Sequence, residues 1–267
     1  MNKFYTLLLL SGAALSANAQ QINGSFDGEW SDCIPWDSKG NTTSSGTQPE
    51  GWTISNVYVG AKVVVGEAEA HNEGKAVKLT NTDAAGQKVP AYFTLGTSWA
   101  TAESNTFSVR NADGGTWGGK KFTYHPDALS FDYKRDNSYG KEDASVIAYL
   151  WNGTWTQKDV PANTTVNFIA FTDATKVDMV DRDRNVLGMP KTNAVLGGDV
   201  TSTEGATCVA KINYAITGNT KKPLAEGEKD KNEYEWVSDT IDFDYGNNVD
   251  AKVEKVNVIF SATNYFG

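Results

Sequence analysis

Residues 122–155 read FTYHPDALSFDYKRDNSYGKEDASVIAYLWNGTW. A Pro126-Asp127 turn leads into an alternating stretch, a polar loop follows, and a second alternating stretch ends at Asn152-Gly153. Alternation of period two separated by turn residues is the pattern of antiparallel strands. Successive side chains of a strand point to opposite faces. Leu129, Phe131 and Tyr133 therefore share one side, expected to face the core, and Ser130, Asp132 and Lys134 the other. Further on, Ala144, Val146, Ala148 and Leu150 share one face, and Ile147, Tyr149 and Trp151 the opposite one. Both faces are apolar, which predicts a central strand covered on both sides. Asn152-Gly153 reads as a two-residue type I′ turn pairing Trp151 with Thr154, with Trp151 at the hairpin tip.

The same pattern runs outward along the chain. Strands are expected at 57–65, 76–80, 91–95, 106–109, 166–171, 208–217, 236–243 and 253–262. No window beyond the N-terminal 19 residues holds a 3.6-residue apolar period for three turns. Many strands without helices predict an all-β fold, a sandwich or barrel. The expectation is a single β-sandwich domain over 20–267, with room for an N-terminal sub-layer before Gly118. The stretches 37–51 and 218–233 are polar, Gly/Ser/Thr-rich or highly charged, and read as mobile loops.

Residues 1–19 read as an export signal. Lys3 supplies the positive start, 7–10 and 13–15 the apolar core, and Ala17-Asn18-Ala19 the cleavage site. The apolar stretch is too short for an ordinary membrane span, so the expected location is secreted, periplasmic or cell-surface. The chain carries a formal charge of −9, and no basic cluster stands ready to neutralise phosphates, which disfavours a nucleic-acid partner. Uncharged partners such as neutral sugars meet no such penalty. An oxidising compartment permits a Cys33–Cys208 disulfide, but spacing alone does not decide it. His71 and His125 show no paired spacing with these cysteines, which argues against zinc.

Aromatic side chains come first among functional candidates, because sugar rings stack their C–H faces on flat rings with polar groups at the rim. The chain has 8 Trp. Trp117 lies in a Gly-rich loop (GGTWGGK), Tyr139 in the polar loop, and Trp151 at the expected hairpin tip. These three are the expected stacking residues, with Arg135 and Asp136 for hydroxyl contacts. Trp52, Trp99, Trp155 and Trp236 are assigned to the core. A glycosidase would need two flanking acids. Asp132, Asp136 and Asp143 are available, as are Asp178, Asp181 and Asp183, but sequence proximity among this many acids is expected by chance. There is no G-x-S-x-G, P-loop or H-E-x-x-H. His71 (EAEAHNEGK) reads as a surface residue, and His125 as packing or capping at the Pro126 turn.

Residues 118–151, with Phe122, Pro126, Leu129, Phe131, Tyr133 and Lys134 in place, resemble the PCMD family of secreted Bacteroidetes proteins, a carbohydrate-metabolism domain. The opening Asn23-Gly24-Ser25-Phe26-Asp27 with Trp30, and later Gln48-Pro49-Glu50-Gly51-Trp52, resembles that of many carbohydrate-binding jelly rolls. The stretch 258–262 is similar to the family's late strand. The resemblance implies a galactose-binding-like jelly roll with its PCMD-like core at 118–267 and its last strand lacking. Relatives of this kind hold a structural calcium on the acid at the place of Asp27 and a late Asp; Asn23 and Asp27 are the candidate ligands here, short of oxygen donors because the late Asp is missing, and the alternative reading is a solvated turn. No other cofactor is expected.

The function expected from these readings is exported, non-catalytic glycan binding or glycan handling in a carbohydrate-utilising bacterium. The alternatives are a glycoside hydrolase or polysaccharide lyase using a carboxylate pair, and a structural or adhesion module that pairs through a sheet edge.

Overall fold

The computed structural model describes residues 22, 24–34, 43–58, 62–71, 74–84, 87–105, 108–137, 143–157, 164–166, 169–171, 179–181, 192–193, 198–199, 203–224 and 226–263. For Tyr58 and for residues 84–88, 97, 99–115, 117 and 154–206 it describes the backbone at most. The expected export signal at 1–19 lies outside the described residues. Among those residues there is no helix, and every strand pairing is antiparallel.

The centre is a 6-stranded sheet. Its strands run in the order Thr203–Ile216, Ala144–Gln157, Lys255–Ser261, Tyr92–Thr94 and Thr53–Ile54, with Lys120–Lys121 added beside Lys255–Ser261. The strand carrying Val146 to Trp151 is therefore interior to the sheet, as its two apolar faces predict. Register explains the layering. Tyr214, Val146, Phe260, Phe93 and Ile54 are successive cross-strand partners, so one row of large apolar side chains crosses the sheet. The next row on that face holds Ile212, Ala148 and Val258. All of these but Val146 belong to the main core, together with Trp52, Leu95, Leu150 and Val256.

Three further elements cover that face. A two-stranded ribbon joins Ala128–Tyr133 to Val237–Asp242 and turns Leu129 and Ile241 inward. Phe131 meets Phe260 edge-on with centroids 5.4 Å apart. A hairpin of Gly66–His71 and Gly74–Leu79 contributes Val77 and Leu79. Phe26 and Trp30 close the cluster from the N-terminal side, Phe26 lying edge-on to Trp52 at 5.6 Å.

The opposite face of the sheet carries a second, smaller cluster of Tyr92, Ile147, Tyr149, Trp151 and Ile259. Among these sits a buried polar knot. Thr94 Oγ1 donates to Asn257 Oδ1 at 2.6 Å and shares a hydrogen bond of 3.1 Å with Thr116 Oγ1. Asn257 Nδ2 donates to the Gly118 carbonyl at 3.1 Å. The knot fixes three chain segments against one another, because a buried amide that lost these partners would carry its full desolvation cost.

Several expectations need correction. Asn152-Gly153 does not close a hairpin: the strand continues to Gln157, and Trp151 pairs with Cys208 and Lys255 instead of Thr154. Gly153 adopts φ 78° beside a register irregularity, the geometry of a glycine bulge. The polar groups meant for a turn go to the neighbouring segment. Asn152 Nδ2 donates to the Lys252 carbonyl at 2.9 Å, and the Gly153 N–H to Glu254 Oε2 at 3.0 Å. The stretch 57–65 is a short hairpin, Val57–Tyr58 on Lys62–Val63, and 166–171 likewise splits into Thr164–Val166 and Ile169–Phe171. Of the expected loops, 47–49 pairs with Trp30–Asp32. The charged stretch beyond Gly218 doubles back, with Lys221 bridging to Tyr234. There Lys221 pairs with Asp230 and Lys222 with Glu233, so opposite charges face each other along it.

Cys33 and Cys208 are both free thiols. Cys33 is fully buried, and desolvation pushes its thiol up to about 11. Burial likewise raises the Cys208 thiol, so neither is primed as a nucleophile.

Candidate functional site

The outward face of the ribbon is a ladder of polar cross-strand pairs. Ser130 and Thr240 hydroxyls bond at 2.8 Å. One step along, Ser238 Oγ donates to Asp132 Oδ1. One step further, Lys134 places its ammonium 5.1 Å from the centroid of the Trp236 ring. This is the alternation of Ser130, Asp132 and Lys134 carried through to the partner strand. The expected core position of Trp236 is corrected by it: the ring is half-buried and belongs to neither apolar cluster. The reason is parity. Val237, Asp239 and Ile241 take the inward positions, which leaves Trp236, Ser238 and Thr240 facing out.

The hairpin supplies the other wall. Its outward residues Glu69 and His71 reach the ribbon from a distant part of the chain. Lys134 Nζ bonds Glu69 Oε1 at 2.6 Å. The His71 ring leans on Trp236 with centroids 4.3 Å apart and planes at 59°, and His71 Nε2 lies 3.8 Å from Asp132 Oδ2. One indole thus meets an imidazole and an ammonium, which in turn engage two carboxylates, all drawn from two strand pairs. His71 keeps 24% and Asp132 46% of its side-chain surface exposed, so the cluster is open to solvent.

Asp27 holds the hairpin in place. Its Oδ1 accepts the Lys75 N–H at 2.8 Å, and its carboxylate packs so closely on Gly74 that a Cβ there would stand 2.2 Å from Oδ1. The Asp27 of the expected calcium site is therefore a clasp on the hairpin tip. Asn23, its expected co-ligand, lies outside the described residues. Among the described residues no three His, Cys, Asp or Glu side chains converge as a metal site. Asp27→Ala is expected to weaken the tip by about 1 kcal/mol, the usual worth of such a hydrogen bond. The check is hydrogen exchange: the Lys75 amide should exchange several-fold faster while the central strand keeps its protection.

Of the other expected site residues, Trp151 and Arg135 are buried and Asp136 is exposed. Trp151 is 1% exposed and packs in the second cluster, so it cannot offer a face to a sugar. The physical reason is the absent turn, which leaves it within a sheet strand instead of at a tip. Arg135 is also buried, at 9% exposure. Its guanidinium donates to the Gly218 carbonyl and lies 3.9 Å from Asp143, and its backbone exchanges hydrogen bonds with Thr220. Burial lowers its pKa, opposed by the nearby Asp143 charge. It works as a strut under the charged hairpin beyond Gly218. Asp136 is exposed and adds to the negative field around Lys221. Trp117 ends the strand Ser108–Trp117, but its side chain lies outside the described residues, as does all of Tyr139.

Ser238 donates to Asp132, not to His71, so Ser238, His71 and Asp132 do not form a nucleophile–base–acid chain. Fold and site together define an all-β antiparallel protein with a solvent-facing aromatic and polar platform. No family model, no curated protein and no solved structure matches this chain.

Proposed function

We propose that this is an exported, non-catalytic glycan-binding protein whose sugar platform is Trp236, with His71, Asp132, Lys134 and Ser238 at its rim. The observation that supports this most is the position of Trp236: a half-buried indole outside the apolar cores, flanked by His71 and Lys134, which in turn engage Asp132 and Glu69. Amphipathic rings with a wet edge suit sugar stacking. Lys134 sits on a flexible four-carbon stem and can yield its place over the ring to a pyranose. The finer topology we favour is a jelly-roll-like sandwich, consistent with the ribbon and hairpin lying over one face of the central sheet.

A glycan array with the full exported chain and Trp236→Ala is the test. Wild type should bind at least one glycan with a dissociation constant near millimolar, which is about −4 kcal/mol. Trp236→Ala should lose about 1.5 kcal/mol, roughly tenfold, and fall below detection. Silence of the wild type across neutral and acidic glycans sinks the reading and favours a structural or adhesion module. Release of reducing ends would favour the hydrolase alternative, with Glu69 and Asp132 as its acids.

A further inference from the structure

We infer that Glu69 sets the specificity of this platform for uncharged sugars over uronates and other anionic glycans, an inference that rests on the glycan-binding reading above. Lys134 is the cation that stands over the indole, and Glu69 neutralises it at 2.6 Å. The pair is only partly exposed, at 30% and 31% of the side chains, so a ligand carboxylate competes with Glu69 for the ammonium. It would then stand near Asp132 as well, which lines the same face one step down the ladder. Next along the hairpin strand, on the same outward parity, Glu67 is matched with Lys78 at 3.3 Å. An anionic ligand thus enters a site whose stacking cation is already satisfied and whose rim carries two carboxylates. Like charges at a few ångström disfavour binding, and charge complementarity governs which partner is rejected. A neutral pyranose meets the same groups as hydroxyl acceptors and donors and incurs no repulsion.

The test is affinity electrophoresis of the full chain and of Glu69→Gln, in gels holding neutral polysaccharides (β-glucan, galactan, mannan) or polyuronates (polygalacturonate, alginate). Wild type should be retarded by a neutral glycan and not by polyuronates. Glu69→Gln frees Lys134 without changing side-chain size. Its affinity for polyuronate should rise about tenfold relative to its affinity for the neutral glycan, a gain that fades with added salt. Glu69→Asp should behave as wild type. Unchanged thermal unfolding of each variant excludes a folding defect. Polyuronate binding by wild type, or no gain in Glu69→Gln, overturns the role of Glu69 and leaves glycan binding standing. No retardation of wild type by any of these glycans overturns both.

Discussion

Gly119→Ala is expected to destabilise the protein by about 3 kcal/mol, the upper part of the usual range for overpacking a tight site. A Cβ on Gly119 would lie 2.3 Å from the Val256 carbonyl oxygen and 2.7 Å from Cη2 of Trp151. Neither neighbour has room to yield. Val256 is backbone in an interior strand, paired with both Lys120 and Leu150. Trp151 is sealed in the second cluster at 1% exposure. Gly119 has no need of a left-handed backbone here; its role is close approach, carrying the Lys120–Lys121 strand onto the sheet. Urea unfolding monitored by tryptophan fluorescence should show a lower midpoint with an unchanged slope. A midpoint equal to wild type would show that the segment after Trp117 can lift off the sheet freely. Gly118→Ala is a useful contrast. It meets nothing within 4 Å, yet its φ of +66° disfavours any side chain, so its effect should be the smaller one of backbone strain, about 1 kcal/mol.

Asn257→Leu should cost a similar amount, about 3 kcal/mol, for the opposite reason: the volume is nearly kept and the polar partners are lost. Thr94 Oγ1, at a wholly buried site, would lose its 2.6 Å acceptor and keep Thr116, and the part-buried Gly118 carbonyl would lose its 3.1 Å donor. Each stranded group carries about 1–3 kcal/mol of unreturned desolvation. The double variant Thr94→Val/Asn257→Leu removes a donor together with its acceptor and should recover part of the loss. Differential unfolding of the single and double variants measures that coupling. Additive effects would show that the knot is a coincidence of packing and not a connected network.

The site was less legible in the sequence than the sheet. The inward and outward sets of 129–134 were readable because one face of the ribbon lies on the core and the other meets water. The two-sided burial of 144–151 was readable because both parities are apolar. Trp236 was misassigned since a tryptophan next to an apolar strand usually packs inward. Only the pairing of Tyr133 with Val237 fixes its parity outward, opposite Lys134. Glu69 and His71 lay in a stretch, EAEAHNEGK, whose acids and small residues are poor strand formers. Its strand exists because Ala68 pairs with Val77 and Gly66 with Leu79, and the hairpin lays Val77 and Leu79 on the core.

By itself, then, the chain determined that it forms antiparallel sheets, that the 144–151 strand lies inside its sheet, and which residues of the ribbon meet solvent. These follow from local periodicity, and a period of two leaves little freedom about which side is buried. The tertiary structure alone decided that Asn152-Gly153 is a bulge and not a turn, that Trp151 is interior and Trp236 is not, and that His71 meets Asp132. Those outcomes depend on which strand pairs with which. Pairing of segments 65 residues apart, as for Glu69 and Lys134, is settled by the packing of their inward faces on a shared core, which no local stretch of sequence encodes.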